Sequence, residues 1–105
     1  MPQLDVHTNP GATKGGYPYL LVLQSSLFRT GERWVVIPMA PAARFPVHDA
    51  RLTPSFDVDG APHVLVTMGI TNIPRERLGA VVGNLGGESE RIIDAVNWMM
   101  NRGWS

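Results

Sequence analysis

The residues that most readily invite chemistry in this sequence are His7, His48 and His63, the Asp57/Asp59 pair and Ser25-Ser26. A histidine serves as a general base or a metal ligand, but only beside a nucleophile, a carboxylate or further ligands. The three histidines lie far apart, and none has a partner motif around it. His7 and His63 fall in strand-like runs, where a lone imidazole is far more often structural than catalytic. Asp57 and Asp59 flank Val58, yet a cation needs several more oxygen ligands, and the sequence offers none close by. Asp59 is also explained by a turn. Ser25-Ser26 has no adjacent base. Gly79, Gly83, Gly86 and Gly87 lack the Gly-Lys-Ser/Thr ending of a phosphate loop. The HExxH, GxSxG and GxGxxG patterns are missing as well. No catalytic residue, metal ligand or cofactor is assigned. The sequence points to binding without chemistry of its own.

The elements that must carry such a binding surface are short strands and one helix. Leu4 to Thr8 alternates as a half-buried strand. Asn9 to Gly16 is a Gly/Pro-dense turn. Tyr17 to Gln24 reads as a strand with Pro18 at its start or at an edge, and Arg33 to Met39 as a β-branched strand that Pro38 ends or bulges. Phe45 to Thr53 is ambiguous, with a short strand over His48 to Leu52 as one reading. Ser55–Val58 and His63–Met68 flank Asp59-Gly60, the strongest short hairpin signal. Gly69 to Pro74 is a connection, Arg75 to Leu78 one helical turn, and Gly79 to Leu85 a glycine-interrupted strand. The pattern predicts a mainly β fold of antiparallel strands, a small barrel or rolled sheet with one C-terminal helix packed on it. All 105 residues are expected to form a single domain.

That helix runs from Glu88 to about Arg102. Glu88 and Glu90 suit the positive end of its dipole, Arg102 the other end, and Gly103 a left-handed stop. At about 100° per residue, Ile92, Ile93, Ala95, Val96, Met99 and Met100 share one arc, expected to face the core. Trp98 lies on the polar arc with Arg91 and Asp94, and Trp104 lies beyond the stop. Two tryptophans on one terminus suit a dimer or partner interface. The alternative is that both fold back onto the sheet.

Bulk composition narrows the partners. The 44% hydrophobic and 17% charged fractions are those of a globular chain. Nine basic and nine acidic residues give a net charge of zero. That argues against a phosphate-tracking nucleic-acid binder and against a polybasic membrane anchor. The absence of cysteine excludes disulfides and cysteine-zinc sites. With no long apolar run and no signal-peptide pattern, no membrane association is expected and the expected compartment is the cytoplasm.

Three stretches, in order, resemble the CcdB family of toxin–antitoxin toxins. Leu23-Gln24-Ser25-Ser26-Leu27-Phe28, followed by Thr30-Gly31-Glu32-Arg33-Trp34-Val35-Val36-Ile37-Pro38, is similar to the family's "VQS" with an apolar pair and "VIPL" strings. Leu52-Thr53-Pro54, Thr67-Met68 and Ile73-Pro74 are similar to "LYP", "MTT" and "VP". Ile93-Asp94-Ala95-Val96-Asn97-Trp98-Met99-Met100 is similar to "I-x-NAINLMF". The resemblance implies an SH3-like barrel and a symmetric homodimer. It implies a toxin that poisons DNA gyrase through the A subunit, trapping cleaved DNA, and that is neutralised by a largely disordered cognate antitoxin. DNA is expected as a partner only indirectly, through the toxin–antitoxin complex. Carried over residue by residue, the gyrase-binding set becomes Asn97, Met100, Gly103, Trp104 and the pair Leu27 and Phe28. Met99 and Trp98 are placed at the dimer interface. Where the family ends Trp-Gly-Ile, this chain reads Asn101-Arg102-Gly103-Trp104-Ser105. Two alternatives stand beside the gyrase poison. One is a non-toxic or retargeted homologue that still binds an antitoxin. The other is an mRNA-cleaving toxin on the same barrel, which would draw on His48 or Arg51.

Overall fold

The computed structural model describes residues 4–11, 13, 15–23, 33–47 and 49–102. Its longest strand organises the rest. The first strands are β1 (Asp5–Thr8), β2 (Tyr19–Val22) and β3 (Arg33–Pro41). They are followed by β4 (Ser55–Val58), β5 (Ala61–Leu65), β6 (Thr71–Pro74) and β7 (Val81–Asn84), and then by the helix α1 (Ser89–Arg102). All pair antiparallel, in the order β4-β5-β3-β2-β1-β7, with β6 also on β3. The sheet curls into a half-barrel closed on one side by α1, as the sequence predicts.

β3 reaches this length because it borrows two partners on one edge. Its first half pairs with β6 (Val36 with Thr71) and its last residues with β5 (Met39 with Leu65). Pro38 sits where the edge passes from one to the other. The Leu23 N–H donates to Val35 O at 3.0 Å, so odd-numbered residues of β3 face β2 and Pro38 faces the other edge. The missing proline N–H therefore costs no bond to β2, and Pro38 O still accepts the Val66 N–H at 2.9 Å. The expected end or bulge at Pro38 is thus replaced by continuous strand through Pro41.

The β4–β5 hairpin turns on Asp59 (φ 52°) and Gly60 (φ 82°), both left-handed as a two-residue primed turn requires. β5 consequently starts at Ala61, earlier than expected, and ends at Leu65. Two expectations are corrected. Residues 49–53 form a turn and not a strand, with Asp49 accepting from the Arg51 and Leu52 N–H groups; His48 lies outside the described residues. The segment expected as a connection contains β6, whose register comes entirely from β3. Arg75–Arg77 is the expected single helical turn.

Leu21, Ile37, Met39, Leu65 and Ile92 are fully buried between the sheet and α1. β1 joins the far edge through a tight approach at Gly79. The Gly79 N–H donates to Thr8 O at 2.9 Å, and the Thr8 N–H to Ala80 O at 2.9 Å. A Cβ on Gly79 would lie 2.8 Å from Thr8 O and closer still to Thr8 Oγ1. Gly79→Ala is therefore expected to destabilise the protein by about 1–3 kcal/mol, the usual range for overpacking. Calorimetric melting checks this: an unchanged melting temperature would show that the approach is looser than described.

Candidate functional site

The outer surface of α1 is set by how the helix is fastened at each end. Near its start, Arg91 donates to Glu88 Oε2 at 2.8 Å and to the Ser55 carbonyl of β4 at 2.9 Å. Its guanidinium lies 4.4 Å over the Phe56 ring. Further along, the Trp98 Nε1–H donates to Asp49 Oδ2 at 2.8 Å. Arg51 stacks 4.1 Å over the same indole and grips Asp94 with two hydrogen bonds, of 2.8 and 2.9 Å. Ile92 and Ala95, fully buried, point at the sheet between these fastenings.

This rotation decides which flank is free. The expected core arc splits: Ile92 and Ala95 are buried, Val96 and Met99 are half-buried, and Ile93 (53% exposed) and Met100 (57% exposed) stand in solvent. Placing Ile93 and Met100 in the core is thereby corrected. The sheet covers an arc centred near Ala95 and Ile92, and Ile93 and Met100 fall past its edge. Asn97 is exposed one turn before Met100, so Ile93, Asn97 and Met100 share one flank at helical spacing. Trp98 projects from the opposite flank, on the polar arc expected for it, and is held by Asp49 and Arg51. Leu27, Phe28, Gly103 and Trp104 lie outside the described residues.

The hydrogen bond from Arg51 holds the Asp94 carboxyl below its usual range and raises the Arg51 guanidinium above its own. Because the folded-state value of Asp94 is the depressed one, the clamp is complete above the ordinary aspartate value of about 3.9 and fades as pH falls through the lower folded value. The Asp94 side-chain carboxyl 13C resonance is expected to hold its position down to about pH 4 and to move below it. A resonance that shifts near neutrality would contradict the pairing.

Of the candidate chemical residues, His7 and His63 are spent on structure, and His48, Ser25 and Ser26 lie outside the described residues. His7 Nδ1 lies 2.9 Å from Gly79 O and His63 Nδ1 2.9 Å from Ala61 O, each ring buried and donating to a backbone carbonyl. Among the described residues no group of three or more histidines and carboxylates converges as a metal site would require. No helix among them is long and apolar enough to cross a membrane.

A family model described as CcdB protein matches residues 3–102. The chain belongs to the CcdB family. It is thus a toxin of the toxin–antitoxin type, with a cognate antitoxin as the partner this family implies. No curated protein sequence matches the chain. Among solved structures, the chain is similar to Mycobacterium tuberculosis toxin MazF-mt6, at a TM-score of 0.72 and 16% identity. That match covers 92% of this chain and 96% of the other. At that identity the likeness concerns the fold, the same curled antiparallel sheet with a terminal helix. Of the residues carried over from the family, Asn97 and Met100 stand on the free flank of α1. Periodicity alone missed Asp49 and Arg51, which orient that flank. In the sequence Arg51 stands out only as an RNA-cleavage candidate.

Proposed function

We propose that this CcdB-family chain poisons DNA gyrase by docking the free flank of α1 on the A subunit, as an inhibitor and not an enzyme. The observation that carries this is the exposure of Asn97 and Met100 side by side on that flank, in a chain whose family match runs through the helix. An exposed thioether beside an amide offers an apolar anchor with a polar neighbour, the composition of an interface centre. Leu27, Phe28, Gly103 and Trp104 are proposed to extend the same surface. A cognate antitoxin with a largely disordered segment neutralises it by covering this region. Purified protein titrated into a gyrase reaction tests the proposal: supercoiling stops and cleaved DNA accumulates. Intact supercoiling with no trapped cleavage at tenfold excess of toxin sinks it.

The mRNA-cleaving alternative is weaker. Arg51, one of the two residues it would draw on, is engaged by Asp94 and by the Trp98 ring.

A symmetric homodimer is proposed alongside, with Met99 and the Trp98 side of the helix near the twofold axis. Met99 lies on the core arc between Ile92 and Ala95 yet is only half-buried, as a residue completing its burial against a mate would be. Sedimentation at micromolar concentration is expected to give twice the chain mass, and a monomer mass would contradict the dimer.

A further inference from the structure

The β2–β3 pair is apolar on both faces, and α1 covers only one of them. Leu21, Ile37 and Met39 face the helix side. Strand alternation sends Leu20, Val22 and Val36 to the opposite face, where they form a second buried cluster with Trp34, Ile73 and Leu78. Chain segments near Asn9 and Arg77 cover this face from two sides and leave a groove of about 440 Å³ between them. Its floor includes Leu20, Val36 and Ile73, and its rim includes Asn9, Thr71 and Arg77.

We propose that this groove is a small-molecule site for a flat apolar carboxylate, its body on Leu20, Val36 and Ile73 and its anionic end on Arg77. The volume falls in the range of about 300–1,000 Å³ typical of small-ligand pockets, and the mix of apolar floor and few polar groups is theirs too. Arg77 is the one charged side chain among the described lining residues, and it has no ion pair with a described residue. The Arg77 guanidinium over an apolar floor suits a monoanion with an apolar body. A polyphosphate chain would need several cations in line.

The wall is already built. Asn9 donates to Tyr17 O at 2.7 Å and to Thr13 Oγ1 at 3.0 Å, and accepts the Gly11 N–H at 3.0 Å. Its amide is thereby committed to holding the rim, which lowers the ordering cost of binding. An added peptide strand fits poorly, because β2 and β3 are interior strands with both edges engaged. At the one break in β3's edge, Pro38 has no N–H to give and its carbonyl is taken by Val66.

The test uses the full chain, isotope-labelled, titrated with indole-3-butyrate, with the matching alcohol and with the matching amine. Saturable binding of the carboxylate is expected, with resonance shifts at Asn9, Thr71 and Arg77 and none along α1. Arg77→Ala, at an exposed position, is expected to weaken the carboxylate about tenfold, the worth of one charge-assisted hydrogen bond, and to leave the alcohol unchanged. Ile73→Trp fills the floor and removes both. Equal affinity for carboxylate and alcohol, shifts centred on α1, or no saturation overturns the proposal. So does an oligoribonucleotide or acidic peptide that occupies the groove while the probe does not. The groove and the free flank of α1 lie on opposite sides of the sheet, so this outcome and the gyrase result are read separately.

Discussion

Glutamate in place of Met100 is expected to abolish gyrase poisoning while leaving the fold intact. Met100 is 57% exposed and contributes little to the core. Melting should therefore move within the ±0.5 kcal/mol typical of surface changes. At the proposed interface the same side chain is the apolar anchor beside Asn97. Replacing it with a carboxylate removes the anchor and buries a charge without a partner. Losing a central contact of this kind costs roughly 2–4 kcal/mol, about 30- to 700-fold in affinity. The concentration of toxin that half-maximally traps cleaved DNA reads this directly. Glu76→Gln, exposed on the turn after β6, serves as the control with unchanged potency. A Met100→Glu protein as potent as the parent would remove the free flank of α1 from the target surface.

Ile92→Ala is expected to cost about 3 kcal/mol, within the range for emptying a fully buried isoleucine site. Ile92 is 0% exposed and joins α1 to Leu21, Ile37, Met39 and Leu65. On a domain of this size that corresponds to a fall in melting temperature on the order of 15 °C. The neighbouring change Ile93→Ala, at a residue 53% exposed, is expected to stay within about 0.5 kcal/mol. Calorimetry on the two variants measures which isoleucine belongs to the core. Equal losses would mean that α1 sits rotated from the position described.

That pair of isoleucines marks where the sequence stops being legible. Spacing puts Ile92 and Ile93 on one apolar arc, and nothing local tells which end of a wide arc meets the sheet. Tertiary fastenings decide it: Arg91 on β4, and Trp98 on Asp49, a residue 49 positions away. Features with local causes were readable. Asp59-Gly60 announces its own turn, and Glu88, Glu90 and Gly86-Gly87 announce the helix start. β6 was hidden because a four-residue strand ending in proline has no signal of its own and acquires its register from β3. Phe45 to Thr53 is ambiguous in the sequence, and the side-chain cap by Asp49 decides residues 49–53 for a turn over the strand reading. Of the proposed surface, Asn97 and Met100 became visible through family strings and not through periodicity. The structure adds that they stand together and uncovered.

The pairing of β1 with β7 has a consequence for how the protein comes into being. Asp5 lies opposite Asn84 in that ladder, and the Asn84 amide donates to the Asp5 carboxylate at 2.8 Å. The first strand thus waits for the last before its outer edge is occupied, and Ile92 seals the core only after that. Contacts of such long sequence separation slow folding, because the loop between them must close before they contribute. A chain emerging from the ribosome therefore carries an open sheet edge and an uncapped core until nearly all of the described sequence has been made. Throughout that interval the α1 flank has no platform to hold it. Folding order thereby acts as a timer: the proposed binding face is in place only once β7 and α1 have joined the strands made before them.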